Sequence, residues 1–227
     1  PLTLEASAFV SRASEPAPSS ARASSRQSCT LTAGDSPPLA ITLPYELEGP
    51  DAQRLAITIA GDASFRAVAK IEVPALHAAH YGASLPDASP SLGLWWCASG
   101  WKVSRQRPVP SATCAAMIIR AAANEAEAAQ LVLRPQQPLQ NLTVSISDLT
   151  GPGDAQIAAS QLDVLRVRYV HVAQPTDASS TIGLWPDPLP PLVGAVDVPA
   201  NRNSPFWIRV RVPTDQPPGL YRGEITL

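Results

Sequence analysis

The alternation is clearest near the carboxy-terminal end, where Phe206, Ile208, Val210 and Val212 point one way and Trp207, Arg209 and Arg211 the other. That period of two predicts a strand with one face in a core and one toward solvent. Pro213 has no N–H to donate and ends the ladder. Pro217, Pro218 and Gly219 then predict a reversal into a second strand beginning at Tyr221. The returning strand has barely begun when the sequence stops, so this reads as a module cut from a larger protein. The same strict alternation runs through Leu142 to Ser147. It recurs in Leu165, Val167 and Tyr169, with Arg166 and Arg168 expected on the outer face.

Further segments of four to nine residues complete the rhythm of an antiparallel sandwich: Leu94–Cys97, Ala115–Arg120, Ala129–Arg134, Val164–Val172 and Arg222–Leu227. Ala121–Gln130, rich in alanine and glutamate, predicts a short helical turn between two strand-like stretches. Upstream, Cys29–Leu31, Leu39–Leu43, Leu55–Ile59 and Phe65–Val73 predict a separate small β module. The Ser, Ala, Pro and Arg-rich residues 11–28 have almost nothing apolar to bury and predict a mobile loop or arm. A polar, proline-containing interval from Gly82 to Gly93 places an internal boundary near residue 90. The expectation is therefore an all-β chain. Residues 1–90 form a small β-rich module, and residues 91–227 an antiparallel β-sandwich truncated at its last strand.

Composition narrows the class. With 25 prolines, 45% hydrophobic and only 16% charged residues, the 227-residue chain is a folded, turn-rich domain in which long helices would be interrupted. A formal net charge of −2 gives no footprint for nucleic acid, which needs clustered cations. No apolar run approaches the roughly 20 residues of a membrane-spanning helix. The chain begins at Pro1 without a charged-then-apolar leader. An extracellular or periplasmic address is the expectation, although a processed leader and a trimmed start read alike. Cys29, Cys97 and Cys114 are too few for a disulfide framework and lack zinc-site spacing. They read as buried thiols, and Cys97 with Cys114 could bridge only across paired strands.

Candidate chemistry is sparse. Glu125 and Glu127 with Asn124 and Gln130 form the densest polar cluster, but paired acid–base work needs a cleft and a raised pKa. A turn-stabilising role fits Asn124 and Glu125 better. His77 and His80 share a helical spacing without a third ligand, so no metal or cofactor is expected. His171 reads as a core-edge histidine. Trp95 and Trp96 are consecutive, so a strand would bury one and turn the other outward. Trp101 and Trp185, on loops, remain as carbohydrate-binding candidates whose indole faces could stack on a sugar.

Three stretches resemble the amino-terminal β-sandwich of glycoside hydrolase family 123. They are Leu94 to Val103 with the arginine and proline-rich link Arg105 to Pro110, then Ala123 to Pro135 (ANEAEAAQLVLRP), and finally Val212 to Gly223 in the form V-P-x-D-x-x-P-G-x-Y-x-G. The resemblance implies a sandwich that packs against a carboxy-terminal catalytic (β/α)₈ barrel of the same protein. It also implies hydrolysis of N-acetylated amino sugars by substrate assistance, with adjacent Asp and Glu in that barrel. This chain has no two neighbouring acidic residues and no βα alternation, so no catalytic residue carries over to it. The rival expectation is an autonomous carbohydrate-binding or cell-surface adhesion module. A purely structural sandwich of an extracellular assembly is a third.

Overall fold

A computed structural model of the protein describes residues 2–12, 23–31, 53–61, 65–71, 75–176 and 180–227. The chain divides into two compact units, Pro1–Ala78 and Ala79–Leu227. The first holds β1 (Leu2–Arg12), β2 (Ala23–Leu31), β3 (Gln53–Gly61) and β4 (Phe65–Ile71) in one antiparallel sheet of order β2-β1-β3-β4. Leu4 sits opposite Cys29 on one side and Gly61 on the other, so β1 is a central strand. The expected arm at 11–28 is corrected at both ends, because Ser11 and Arg12 close β1 and Ala23 to Ser28 open β2. A ladder needs backbone N–H and C=O rather than large side chains. Residues 13–22 and the expected strand Leu39–Leu43 fall outside the described residues.

The second unit contributes β5 (Ala83–Ser84), β6 (Leu92–Ala98), β7 (Ala126–Pro135), β8 (Leu139–Leu142), β9 (Ser145–Ile146), β10 (Leu149–Thr150), β11 (Gln156–Ile157), β12 (Leu162–Arg166), β13 (Tyr169–Val172), β14 (Gly183–Pro186), β15 (Val196–Val198), β16 (Ser204–Arg211) and β17 (Ile225–Thr226). A five-stranded antiparallel sheet of order β12-β16-β7-β6-β5 is its backbone. Four short ribbons, β8–β15, β9–β17, β10–β11 and β13–β14, surround it. Residues 79–90 belong to this unit, because Ala83 and Ser84 pair with Trp96 and Trp95.

Strand alternation gives the main sheet two distinct faces. On one, Leu94, Leu131, Leu133, Phe206 and Ile208 are buried together with Val198, and Leu139, Leu142, Val144, Ile146, Val196 and Ile225 pack onto them from the ribbons. Each such side chain removed from water contributes roughly 1.5–3 kcal/mol, so this layer is a principal source of stability. On the opposite face Trp95, Cys97, Gln130 and Val132 are buried under the loop that follows β6.

Several expected elements change shape. Ala121–Gln130 holds no helical turn: Ala123 and Asn124 make a tight turn, with Asn124 at φ 61, and β7 begins at Ala126. Asn tolerates that left-handed conformation, which ends any helix-like run. The continuous strand expected over Leu142–Ser147 breaks at Thr143 and Val144, since β8 follows β15 and β9 follows β17. Arg166 faces the core side, opposite Phe206, while Leu165 lies opposite Trp207. The outward placement expected for Arg166 is thus reversed. The guanidinium keeps a partner by donating to the Asp197 carbonyl at 3.0 Å, and burial holds its pKa down.

Candidate functional site

The densest assembly of functional-type side chains lies beneath the loop 98–107, on the face of the sheet opposite the apolar core. Four side chains rising from strands or their ends hold that loop by its carbonyls. Gln130 Nε2 donates to Trp101 O at 2.8 Å, and Asn203 Nδ2 donates to Ser104 O and Arg107 O, both at 2.8 Å. Arg134 Nη1 donates to Arg105 O at 3.1 Å and the Tyr169 hydroxyl to Val103 O at 2.8 Å. Gln130 and Asn203 are almost wholly buried, so each pairing spares a backbone carbonyl the cost of dehydration without a partner.

Arg107 is the charged centre of this cluster. Its guanidinium lies 3.8 Å from the Tyr81 ring centroid and 4.7 Å from that of Trp95, and Nη2 donates to the carbonyls of Ala79 and Tyr81. Two π faces and two carbonyl dipoles thus stand in for part of the water a buried guanidinium gives up, while Nη1 is buried without a hydrogen-bond partner. Gly82, at φ +85, leaves room for the arrangement. A Cβ there would sit 2.9 Å from Trp95 ring carbons. Burial raises the Tyr81 hydroxyl to about 12 and the Cys97 thiol to about 12, and Arg107 opposes both shifts. Burial also pushes the Tyr169 phenol upward, so these groups are neutral near pH 7 and the two phenols serve as donors.

Trp101 is part of this cluster. Its ring stacks on Tyr81 at 4.3 Å with a 4° interplanar angle, and His80 meets it edge-on at 4.7 Å. One indole face is therefore engaged within the protein. Trp185 lies on β14 opposite Val170, half-buried, with Nε1 donating to Thr181 O at 2.6 Å. It borders a shallow concavity of about 340 Å³ together with Gln174, Thr176 and Asp187. Lys102 links the loop 98–107 to the end of β14, reaching Pro186 O at 3.4 Å and Asp187 at 3.6 Å. That ion pair is solvent-exposed and worth little by itself.

The other sequence candidates are dispersed. Glu125 Oε2 accepts from Ala122 N–H at 2.6 Å, and Asn124 N–H donates to Val212 O at 3.0 Å, so both stabilise the turn. Trp95 is fully buried, whereas half-buried Trp96 donates to Cys114 Sγ at 2.9 Å. Cys97 and Cys114 are free thiols, which removes the disulfide option. His171 is exposed on β13, so its core-edge placement is corrected: Val170 and Val172 flank it in a ribbon that leaves this position in solvent. His77 closes a single 3₁₀ turn, Ala75–His77. Among the described residues no group of three His, Cys, Asp or Glu could hold a metal.

Sequence reasoning missed Arg107, Asn203 and Tyr81. Arg107 stood inside the arginine and proline-rich link, but its partners are 12 to 96 positions away, beyond any local pattern. The Val212–Gly223 motif also resolves into packing. Tyr221 OH donates to Pro217 O at 2.7 Å and accepts from Gln216 Nε2 at 2.8 Å, a hydroxyl bonding back to upstream backbone as in a tyrosine corner. Its ring occupies the space a Cβ on Gly151 would need.

A family model described as the glycoside hydrolase 123 N-terminal domain matches residues 96–227. No curated protein matches the chain. Among solved structures, a similar chain is a family 123 glycoside hydrolase from Clostridium perfringens, studied for glycolipid glycan hydrolysis, with 20% identity and a TM-score of 0.39. The match covers 46% of this chain and 18% of that one.

Proposed function

The chain belongs to the glycoside hydrolase 123 N-terminal domain family, and from that premise we propose that it is the non-catalytic β portion of a glycosidase. In this reading it packs against and supports a (β/α)₈ barrel encoded further along, and the whole protein cleaves glycosidic bonds of N-acetylated amino sugars. The supporting observation is how the family-like stretches are used. Trp95, Gln130, Arg134 and Tyr221 are all committed to internal packing and hydrogen bonds. Residues so engaged build a rigid support rather than a reacting centre. The cleavage step would fall to the barrel, where the sugar's own acetamido oxygen attacks the anomeric carbon and a carboxylic acid protonates the departing oxygen.

Release of nitrophenol from a nitrophenyl N-acetyl-β-galactosaminide checks this. The full-length gene product should turn over, and the 227-residue chain should not. Turnover by the purified 227-residue chain would overturn the assignment.

A second reading is favoured by the setting of Trp185, an indole beside Gln174, Thr176 and Asp187 at a concave surface. That combination suits a carbohydrate contact, with stacking on the ring and hydrogen bonds to hydroxyls. Calorimetric titration with N-acetylgalactosamine oligosaccharides should then give saturable binding that Trp185→Ala abolishes and Trp101→Ala weakens less. Equal binding by the wild type and Trp185→Ala would remove this reading.

A further inference from the structure

Among the described residues the exposed Arg168 guanidinium has no hydrogen-bond, ion-pair or ring partner, and the pairing of β13 with β14 sets it beside the Trp185 concavity. The ladder places Val170 opposite Trp185 and Val172 opposite Gly183. It runs on past Tyr169, because Asp187 N–H donates to Arg168 O at 3.1 Å and Arg168 N–H to Pro188 O at 2.9 Å. Arg168 thus lies opposite Asp187, two steps from Val170 and Trp185, and these four residues share one face of the ribbon. Val170, Trp185 and Asp187 line the concavity, so Arg168 stands at its rim. The charge around it is positive, although the chain as a whole has a formal net charge of −2. Asp187, the acid among the described lining residues, is already paired with Lys102 at 3.6 Å. Arg166 and Arg105 add to the field: burial, then repulsion from Arg168 and Arg105, holds the Arg166 pKa down. Arg166 is tied to Asp197 O at 3.0 Å and Arg105 lies over the Tyr169 ring at 4.5 Å, whereas the donors of Arg168 are free.

An indole, an amide and a hydroxyl around a recess of about 340 Å³ suit a single sugar ring, with stacking on Trp185 and hydrogen bonds to Gln174 and Thr176. A planar fork of free N–H donors at the rim adds a requirement that a neutral sugar leaves unmet. It calls for a group with two or more anionic oxygens, which a guanidinium binds in bidentate fashion. We propose that the concavity takes a sugar residue bearing an acidic substituent, a carboxylate or a sulfate, whose oxygens accept from Arg168 while the ring rests on Trp185. A nucleic acid would need an extended basic track, and here the positive charge borders one recess. The inference rests on the reading of this concavity as a carbohydrate contact, and it names the class of sugar.

Calorimetric titration of the 227-residue chain tests it with four probes: N-acetylgalactosamine, its 6-sulfate, the methyl glycoside of N-acetylneuraminic acid, and inorganic sulfate. At least one acidic sugar should bind at least about tenfold more tightly than the neutral one, the gain expected of a charge-assisted pair. The advantage should shrink as salt is raised. A preference for the 6-sulfate identifies the substituent as sulfate, and a preference for the neuraminic glycoside identifies it as carboxylate; either supports the proposal. Arg168→Gln should erase the difference between acidic and neutral sugars, and Arg168→Lys should recover only part of it, because an ammonium lacks the fork. Arg168 is exposed, so urea midpoints of both variants should match the wild type. Equal affinity for acidic and neutral sugars overturns this inference and leaves the carbohydrate reading standing. A preference that survives Arg168→Gln overturns it too, as does inorganic sulfate binding as tightly as the sugar sulfate, which would make this an anion site with no use for the ring. Absence of binding by every sugar removes both readings together.

Discussion

Arg107 shows how a single residue ties the end of a loop to residues 79–81 and to β6. Its charge is stabilised by the faces of Tyr81 and Trp95 and by two backbone carbonyls, and its own carbonyl accepts from Asn203. A planar guanidinium can face rings and donate in-plane at once, which lysine cannot do. Gln130 plays the complementary neutral role, since its amide holds the Trp101 carbonyl from a position only 1% exposed. Gln130→Ala should therefore cost about 1–3 kcal/mol, the range for leaving a buried group unpartnered. It should also loosen the Trp101–Tyr81 stack. Urea unfolding together with tryptophan emission checks both, and an unchanged midpoint would show that the loop is held by other means. Trp101 was legible as a loop aromatic because tryptophan is rare and its neighbours were turn-forming, whereas Trp185, expected on a loop, is half-buried on β14, where pairing with Val170 draws it into a ladder. That one face of Trp101 is taken by Tyr81 depended on a residue 20 positions upstream.

At the scale of elements, strands with one apolar face followed their pattern, and strands built from short mixed segments did not. β16 buries Phe206, Ile208 and Val210 as its alternation demands. The run Leu142–Ser147 alternates equally well but is divided, because its two ends follow different partners. Arg166 was assigned to the wrong side because a period of two fixes which residues share a face but not which face is inward. The register with β16, set by Leu165 opposite Trp207, decides it. The turn before β17 is secured by the Tyr221 hydroxyl on Pro217 O. Tyr221→Phe should cost about 0.5–1.5 kcal/mol, the net value of one such bond. The loss should be confined largely to 216–224, so hydrogen exchange should quicken there while protection in β7 is kept. Uniform loss of protection would mean that this corner governs the whole unit.

For the molecule as a whole, the buried neutral groups set an alkaline limit. Cys97 titrates from an ordinary value of 9.0 and Tyr81 from 10.0 when unfolded, and burial raises each to about 12 in the folded protein. The folded state therefore holds protons that the unfolded state has lost. Their contribution is complete below pH 9 and declines as pH rises from 9 toward 12, with a slope of up to about 1.4 kcal/mol per pH unit per group. Urea midpoints should be insensitive to these groups between pH 7 and 9 and then fall. Cys97→Ala should remove the part of the decline that starts near pH 9 and keep the part that starts near pH 10. A flat profile up to pH 11 would contradict the burial of both groups.

By itself, the amino-acid sequence determined that this is an antiparallel all-β protein with turns punctuated by proline and glycine, because side-chain alternation and fixed φ values act over a few neighbouring residues. Its three family-like stretches also pointed to the domain family. Tertiary structure alone decided which face of each strand turned inward, where the runs broke, and that Arg107, Gln130 and Asn203 would clamp one loop. Those outcomes depend on partners as far as 99 positions apart, and burial gives such pairings their value only once the chain has brought them together.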